Sequence, residues 1–144
     1  MIHFILLQNR MGKTRLAKFY VPCDDAEREK TKREVHALIN GRDARMSNYA
    51  VCGSLKLVYR RYAGLFFCFG IEKDDNELFY MEFIHLMVEV LDMFFRDVCE
   101  LDLVFNFHKV YLIIDEMILA GEVEEVSRAV IMDRLRTLDI TNTW

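Results

Sequence analysis

The stretch Leu55-Lys56-Leu57-Val58-Tyr59-Arg60-Arg61-Tyr62-Ala63-Gly64-Leu65-Phe66-Phe67-Cys68-Phe69 constrains the fold of this chain more than any other. It reads as two β-strands meeting at Ala63-Gly64. Before the junction, Leu55, Leu57 and Tyr59 alternate with Lys56 and Arg60, the pattern of a strand with one face toward solvent. After it, Leu65 to Ile71 is apolar or small throughout, which predicts a strand covered on both faces. The two smallest residues sit at the seam, where absent side-chain bulk lets another backbone come close.

The other elements arrange themselves around this hairpin. Ile2 to Leu7 predicts a first strand, and Asn9-Arg10-Met11-Gly12 a turn in which Gly12 takes positive φ. Lys13 to Val21 returns antiparallel. Simple alternation puts Thr14, Leu16, Lys18 and Tyr20 on one face and Arg15, Ala17, Phe19 and Val21 on the other; Pro22 ends the strand. Asp24 with Glu27 three residues later predicts a capped helix whose inner stripe is Val35, Leu38 and Ile39, closed at Asn40-Gly41. Arg42 to Asn48 has no period and reads as a loop, Tyr49 to Cys52 as a short strand, and Gly53-Ser54 as the turn into the hairpin. Asp74 with Glu77 then opens a long helix from Leu78 to Val98. That helix carries two apolar stripes, Met81/Ile84/Val88/Leu91/Phe95 and Phe79/Phe83/Met87/Val90/Phe94, and a surface helix needs only one. The surplus predicts a second apolar contact, with another helix, a partner chain or a ligand groove. Leu101 to Phe105 reads as an extended connection, Phe107 to Ala120 as a helix capped by Asn106, and Val126 to Leu138 as a last helix. The order β-β-α-β-β-β-α-α-α predicts an α+β fold, a five-stranded antiparallel sheet flanked by helices, as one domain over residues 1–144.

Several function classes are disfavoured. No apolar run approaches the roughly 18–20 residues of a membrane span, and the start lacks the basic n-region and cleavage site of a signal peptide. Cys23, Cys52, Cys68 and Cys99 form no CxxC pair, so free thiols in a reducing cytosol are expected, without zinc or a disulfide framework. A net charge of −4 argues against nucleic acid, yet residues 1–22 carry Arg10, Lys13, Arg15 and Lys18 and no acid. That basic edge suits an acidic peptide or an anionic lipid surface, and equally a solvated strand edge that discourages aggregation.

Catalytic chemistry finds no constellation. Gly12-Lys13-Thr14 echoes the tail of a phosphate-binding loop, but GxxxxGK[ST] needs glycine where Leu7 stands, and here the tripeptide opens a strand. The pairs Asp24-Asp25, Asp74-Asp75 and Asp115-Glu116 are adjacent, so their side chains diverge. The first two fall at helix starts, where carboxylates stabilise exposed N–H groups. His3, His36, His85 and His108 lack metal spacing, and none lies beside a nucleophile. His85, between the helix stripes, reads as a hydrogen-bonded interface residue. No enzyme, cofactor or metal is expected.

Five blocks carry a resemblance: Ile5-Leu6-Leu7-Gln8-Asn9-Arg10; Gly12-Lys13-Thr14-Arg15-Leu16-Ala17-Lys18; Tyr59-Arg60-Arg61-Tyr62-Ala63-Gly64-Leu65; Asp75-Asn76-Glu77-Leu78; and Val98-Cys99-Glu100-Leu101-Asp102-Leu103-Val104-Phe105-Asn106-Phe107. Over roughly residues 1–127 the chain resembles the sigma (small) chain of clathrin adaptor complexes, most closely the endocytic, plasma-membrane type. The resemblance implies a longin-like fold. It implies a heterotetramer with a large alpha-type adaptin, a beta adaptin and a mu chain, at the cytoplasmic face of the plasma membrane in clathrin-coated pits. It also implies recognition of cargo tails bearing an acidic dileucine signal, [Asp/Glu]-x-x-x-Leu-[Leu/Ile]. The implied leucine pockets fall at Ala63, Leu65, Val88, Asp97, Val98, Leu101 and Leu103. The acidic end of the signal is implied to meet Arg15, with Arg10 as a secondary contact.

Three other roles stand beside this one: a sigma chain of a Golgi or endosomal complex, a purely architectural longin-like subunit, and a longin-type regulator of membrane fusion or small GTPases. The third would usually carry a SNARE helix, and none follows here. The chain departs from the family at Val51-Cys52-Gly53-Ser54, which replaces a more acidic and aromatic segment, and at Asp97, where the family usually carries Asn. An ionised carboxylate lacks the amide donor and adds negative charge near the pocket. Asp97→Asn is therefore predicted to strengthen binding of strongly acidic signals, and unchanged affinity in peptide titrations would refute that role for Asp97.

Overall fold

The structure, a computed structural model, describes residues 1–42, 48–96, 99–123 and 126–142, with the side chains of the last helix described through Arg136. The elements are β1 (Ile2–Asn9), β2 (Thr14–Phe19), α1 (Asp25–Asn40), β3 (Tyr49–Cys52), β4 (Leu55–Tyr62), β5 (Leu65–Glu72), α2 (Glu77–Phe95), α3 (Glu100–Phe105), α4 (Phe107–Met117), β6 (Ile118–Leu119), β7 (Glu122–Val123) and α5 (Arg128–Asn142). Strands β1 to β5 form one antiparallel sheet in the order β2-β1-β5-β4-β3.

Strand β5 lies at the sheet's centre, and its continuous apolar sequence follows from that position. Leu65, Phe67, Phe69 and Ile71 face the core under α2, α4 and α5. Cys68 lies with Phe4, Leu6, Leu57 and Tyr59 against Val35 and Ile39 of α1. Neither face of β5 meets water, as its sequence predicts. The middle of β4, Leu57 to Tyr59, is also buried on both faces, against expectation: Val58 joins the core on the α2 side. Lys56 reaches Glu77 of α2 at 2.9 Å and Arg60 reaches His85 of α2 at 2.7 Å. Long basic stems can line a covered face while their charged ends find partners, which alternation alone does not reveal.

The β4–β5 connection is a two-residue turn with Tyr62 opposite Leu65. Ala63 and Gly64 both take positive φ, 55° and 79°, the handedness that matches the twist of antiparallel strands. A Cβ placed on Gly64 would meet nothing within 4 Å, so backbone conformation, and not close approach of another chain segment, explains the small residues there. Gly12 takes positive φ as predicted.

Helix ends follow local hydrogen bonding. Asp24 caps α1, its side chain accepting from the Glu27 N–H at 2.8 Å. The cap of α2 is Asn76, which accepts from Leu78 and Phe79; the expected cap, Asp74, lies two residues too early. Both apolar stripes of α2 are largely covered within the chain, by the sheet on one side and by α4 and α5 on the other, although Leu78, Phe79 and Met93 remain exposed. Leu101 to Phe105 is not an extended connection but part of α3, whose start is fixed by the Asp102 carboxylate accepting from the Cys99 N–H at 3.0 Å. Helix α4 stops at Met117, and residues 118–123 form a small hairpin, β6–β7.

One glycine inside β5 has a packing reason. Gly70 pairs with Phe4 of β1, and a Cβ there would clash with the edge of the Phe4 ring, which is buried and packs against Phe19. Gly70→Ala should destabilise the chain by about 1–3 kcal/mol through overpacking, read as a lower denaturation midpoint by circular dichroism, with partial recovery when Phe4→Leu is added.

Candidate functional site

Arg15 owes its direction to an irregularity in strand pairing. Leu7 opposes Leu16, but the next β1 residue, Gln8, opposes Thr14, so Arg15 has no partner across the ladder. Such a bulge turns the inserted side chain out of simple alternation. Gln8 points toward α1, its amide donating to the Lys32 carbonyl at 3.0 Å. Thr14 lies beside it. Ala17 and Phe19 pack in the cluster under α1. Arg15 instead reaches α3, its Nε donating to Glu100 Oε1 at 2.9 Å. Alternation puts Arg15 on the face of Ala17 and Phe19 and Thr14 on that of Leu16; the bulge exchanges the two.

The carboxylate that Arg15 meets is itself held. Asn9 Nδ2 donates to the same Glu100 oxygen at 3.4 Å. The Asn9 side-chain Oδ1 accepts from the backbone N–H groups of Met11 and Lys13, each at 3.0 Å. The β1–β2 turn thus orients Asn9, and Asn9 and Arg15 together tie α3 to the end of the sheet.

The apolar residues lie on the same side. Leu65 at the start of β5, Val88 of α2 and Leu103 of α3 are buried in one cluster, with Ala63, Tyr62, Phe94 and Phe95 packed against it. Leu103 is 3% exposed, while Leu101, two residues earlier on the short helix, is 62% exposed. The site residues therefore divide: Leu65, Val88 and Leu103 are covered within the same core cluster, Ala63 is half-buried against it, and Leu101 faces out. Asp97 and Val98 lie outside the described residues.

Arg10 does not join Arg15. It lies exposed on the β1–β2 turn and lines a cleft of about 560 Å³ on the α1 side, with His36, Arg42, Tyr59, Arg60 and Arg61 among its walls. Arg10 and Arg42 are brought to this cleft beside Arg61 by the turn and the end of α1, while the Arg60 guanidinium turns to His85 of α2; the sequence shows only the Arg60-Arg61 pair. Glu100 is the other residue that sequence reasoning passed over. Its signal was a carboxylate placed directly before the leucine pair of the last resemblance block.

Charged groups elsewhere are tied across elements. His85 Nδ1 accepts from Arg60, so its Nε2–H donates to Glu89 at 2.6 Å, and Glu89 also meets Arg128 of α5 at 2.6 Å. The hydrogen bonding expected of His85 is present and runs within the chain. Lys18 pairs with Asp115 of α4 and lies over the rings of Tyr20 and Tyr111. Burial and the Asp115 charge push the Tyr20 phenol well above its usual range, and burial alone does the same for the Cys68 thiol. Among the described residues no three His, Cys, Asp or Glu side chains gather as a metal site, and no helix is long and apolar enough to cross a membrane.

A five-stranded antiparallel sheet thus carries one helix on one face and several on the other. Residues 1–142 match the model of the clathrin adaptor complex small chain family, and this chain belongs to that family. AP-2 complex subunit sigma of Neurospora crassa is 59% identical over 140 residues, 96% of this chain and 98% of that one. AP-2 complex subunit sigma of Dictyostelium discoideum is 56% identical over 139 residues, with the same coverage. Human AP-1 complex subunit sigma-3 is 48% identical over 140 residues, 97% of this chain and 91% of that one. In a homology model of the full-length AP-3 complex in a stretched open conformation, one chain superposes with a TM-score of 0.76 at 28% identity, covering 98% of this chain and 95% of that one.

Proposed function

We propose that this chain is the small subunit of an endocytic adaptor complex of the AP-2 type, and that it recognises acidic dileucine signals in the cytoplasmic tails of transmembrane cargo. Arg15, turned by its bulge to the side of Leu65, Val88 and Leu103, is the observation that carries the reading. A cation and an apolar corner at one end of a sheet match the two halves of such a signal. The identities to AP-2 sigma subunits, above that to the human AP-1 chain, favour the plasma-membrane complex.

On this reading the chain works in a heterotetramer with a large alpha-type adaptin, a beta adaptin and a mu chain, peripheral to the membrane in coated pits and without catalysis. Burying two signal leucines yields about 1.5–3 kcal/mol each, and a charged hydrogen bond at a half-exposed arginine about 1–2. Ordering a flexible tail consumes much of this, which leaves micromolar affinity. Tethering of the whole complex to the membrane raises the effective cargo concentration enough for such a site to work.

Burial of Leu65, Val88 and Leu103 means that signal leucines enter only when α3 gives way from α2 and β5. The same burial favours a second reading, an architectural subunit whose corner is permanently filled by its own side chains. Fluorescence anisotropy on the assembled complex separates the two. Arg15→Ser should weaken a signal carrying the acid by about 5- to 30-fold, the equivalent of 1–2 kcal/mol, and leave a signal with alanine in its place within twofold. Absence of binding by either peptide to the wild-type complex would establish the architectural role, and equal loss for both would make Arg15 a folding residue.

A further inference from the structure

The cation assigned to the cargo acid already has a carboxylate on it. We infer that Glu100 is a specificity-determining residue, an internal counter-charge at Arg15 that sets how strongly the site rewards an acidic residue in the signal. The inference rests on the cargo-binding reading above.

Three observations carry it. Glu100 approaches Arg15 through Nε alone, at 2.9 Å, so the two terminal nitrogens of the guanidinium remain able to make the bidentate pairing that carboxylates prefer. Glu100 is met from a second direction by Asn9 Nδ2, whose amide is oriented by its Oδ1 accepting from two backbone N–H groups of the turn. Both partners are only partly exposed, 26% for Arg15 and 30% for Glu100, so their charges are incompletely screened.

A signal carboxylate that engages the terminal nitrogens therefore sits across one guanidinium from a second carboxylate, held at the start of α3 by Arg15 and Asn9. The two like charges repel, and the pair Arg15–Glu100 presents little net charge to steer the acid inward. Glu100 does two opposed things: its oxygen holds the guanidinium in position, and its charge discounts the acid. A signal without the acid meets neither effect.

Glu100→Gln separates them, since the amide oxygen still accepts from Arg15 Nε while the charge is gone. In the assembled complex, anisotropy with paired peptides, one with the acid and one with alanine there, should show about 5-fold tighter binding of the acidic peptide and no change beyond twofold for the other. The gain should shrink as salt rises and vanish in an Arg15→Ser background, a double-mutant cycle that isolates the coupling. An unchanged or weakened acidic peptide would overturn the assignment. So would an equal gain for both peptides, which would make Glu100 a tether of α3 without a role in selectivity. If the wild-type complex binds neither peptide, the cargo reading falls and this inference with it; if it prefers the acidic one and Glu100→Gln changes nothing, only the inference falls.

Discussion

Burial of β5 on both faces is the constraint from which the rest of this structure follows. A strand with Phe67 and Phe69 toward one side and Cys68 toward the other cannot sit at a sheet edge or against water. It needs a strand on each flank and a layer above and below. β1 and β4 supply the flanks, α1 supplies one layer and α2, backed by α4 and α5, the other. Two short side chains at Ala63-Gly64 allow the reversal that brings β4 alongside. The site at this end of the sheet is thus a by-product of packing: Leu65 is where β5 starts, Ala63 is the turn before it, and Val88 is on the helix that roofs it.

Onto that corner the β1–β2 hairpin adds charge, and a bulge decides on which side. Arg15 is therefore positioned by backbone pairing and not by its own packing. Asn9 and Glu100 complete an arrangement in which the turn, the strand end and the short helix α3 hold one another. Because α3 also contributes Leu103 to the covered corner, the polar and apolar halves of the site are mechanically joined through six residues of helix.

Most of the sheet was legible in the sequence, because strand pairing leaves a period-two trace wherever one face is apolar. The central hairpin, the first turn and the cap of α1 are read directly from Leu65 to Ile71, Gly12, and Asp24 with Glu27. What escaped has specific causes. A bulge adds one residue without changing composition, so alternation counted through Thr14 and Arg15 gives the wrong face. Helix α3 is shorter than two turns, too short to show a helical period, and its Leu-Asp-Leu pattern imitates a strand. Lys56 and Arg60 look like a wet face, since sequence does not reveal that Glu77 and His85 wait above them. The surplus stripe of α2 was read correctly as needing a second cover, but that α4 and α5 supply most of it depends on tertiary packing.

The bulge also makes this corner sensitive to arithmetic. Adding or removing one residue between Gln8 and Leu16 would either heal the irregularity or enlarge it, and in both cases position 15 would swing toward α1, leaving Glu100 alone on the far side. Side-chain identity at the tip of the hairpin is consequently freer to drift than its length. The spacing from Asn9 to Arg15 works as a ruler, and the chemistry at the rim survives only while that ruler keeps its count.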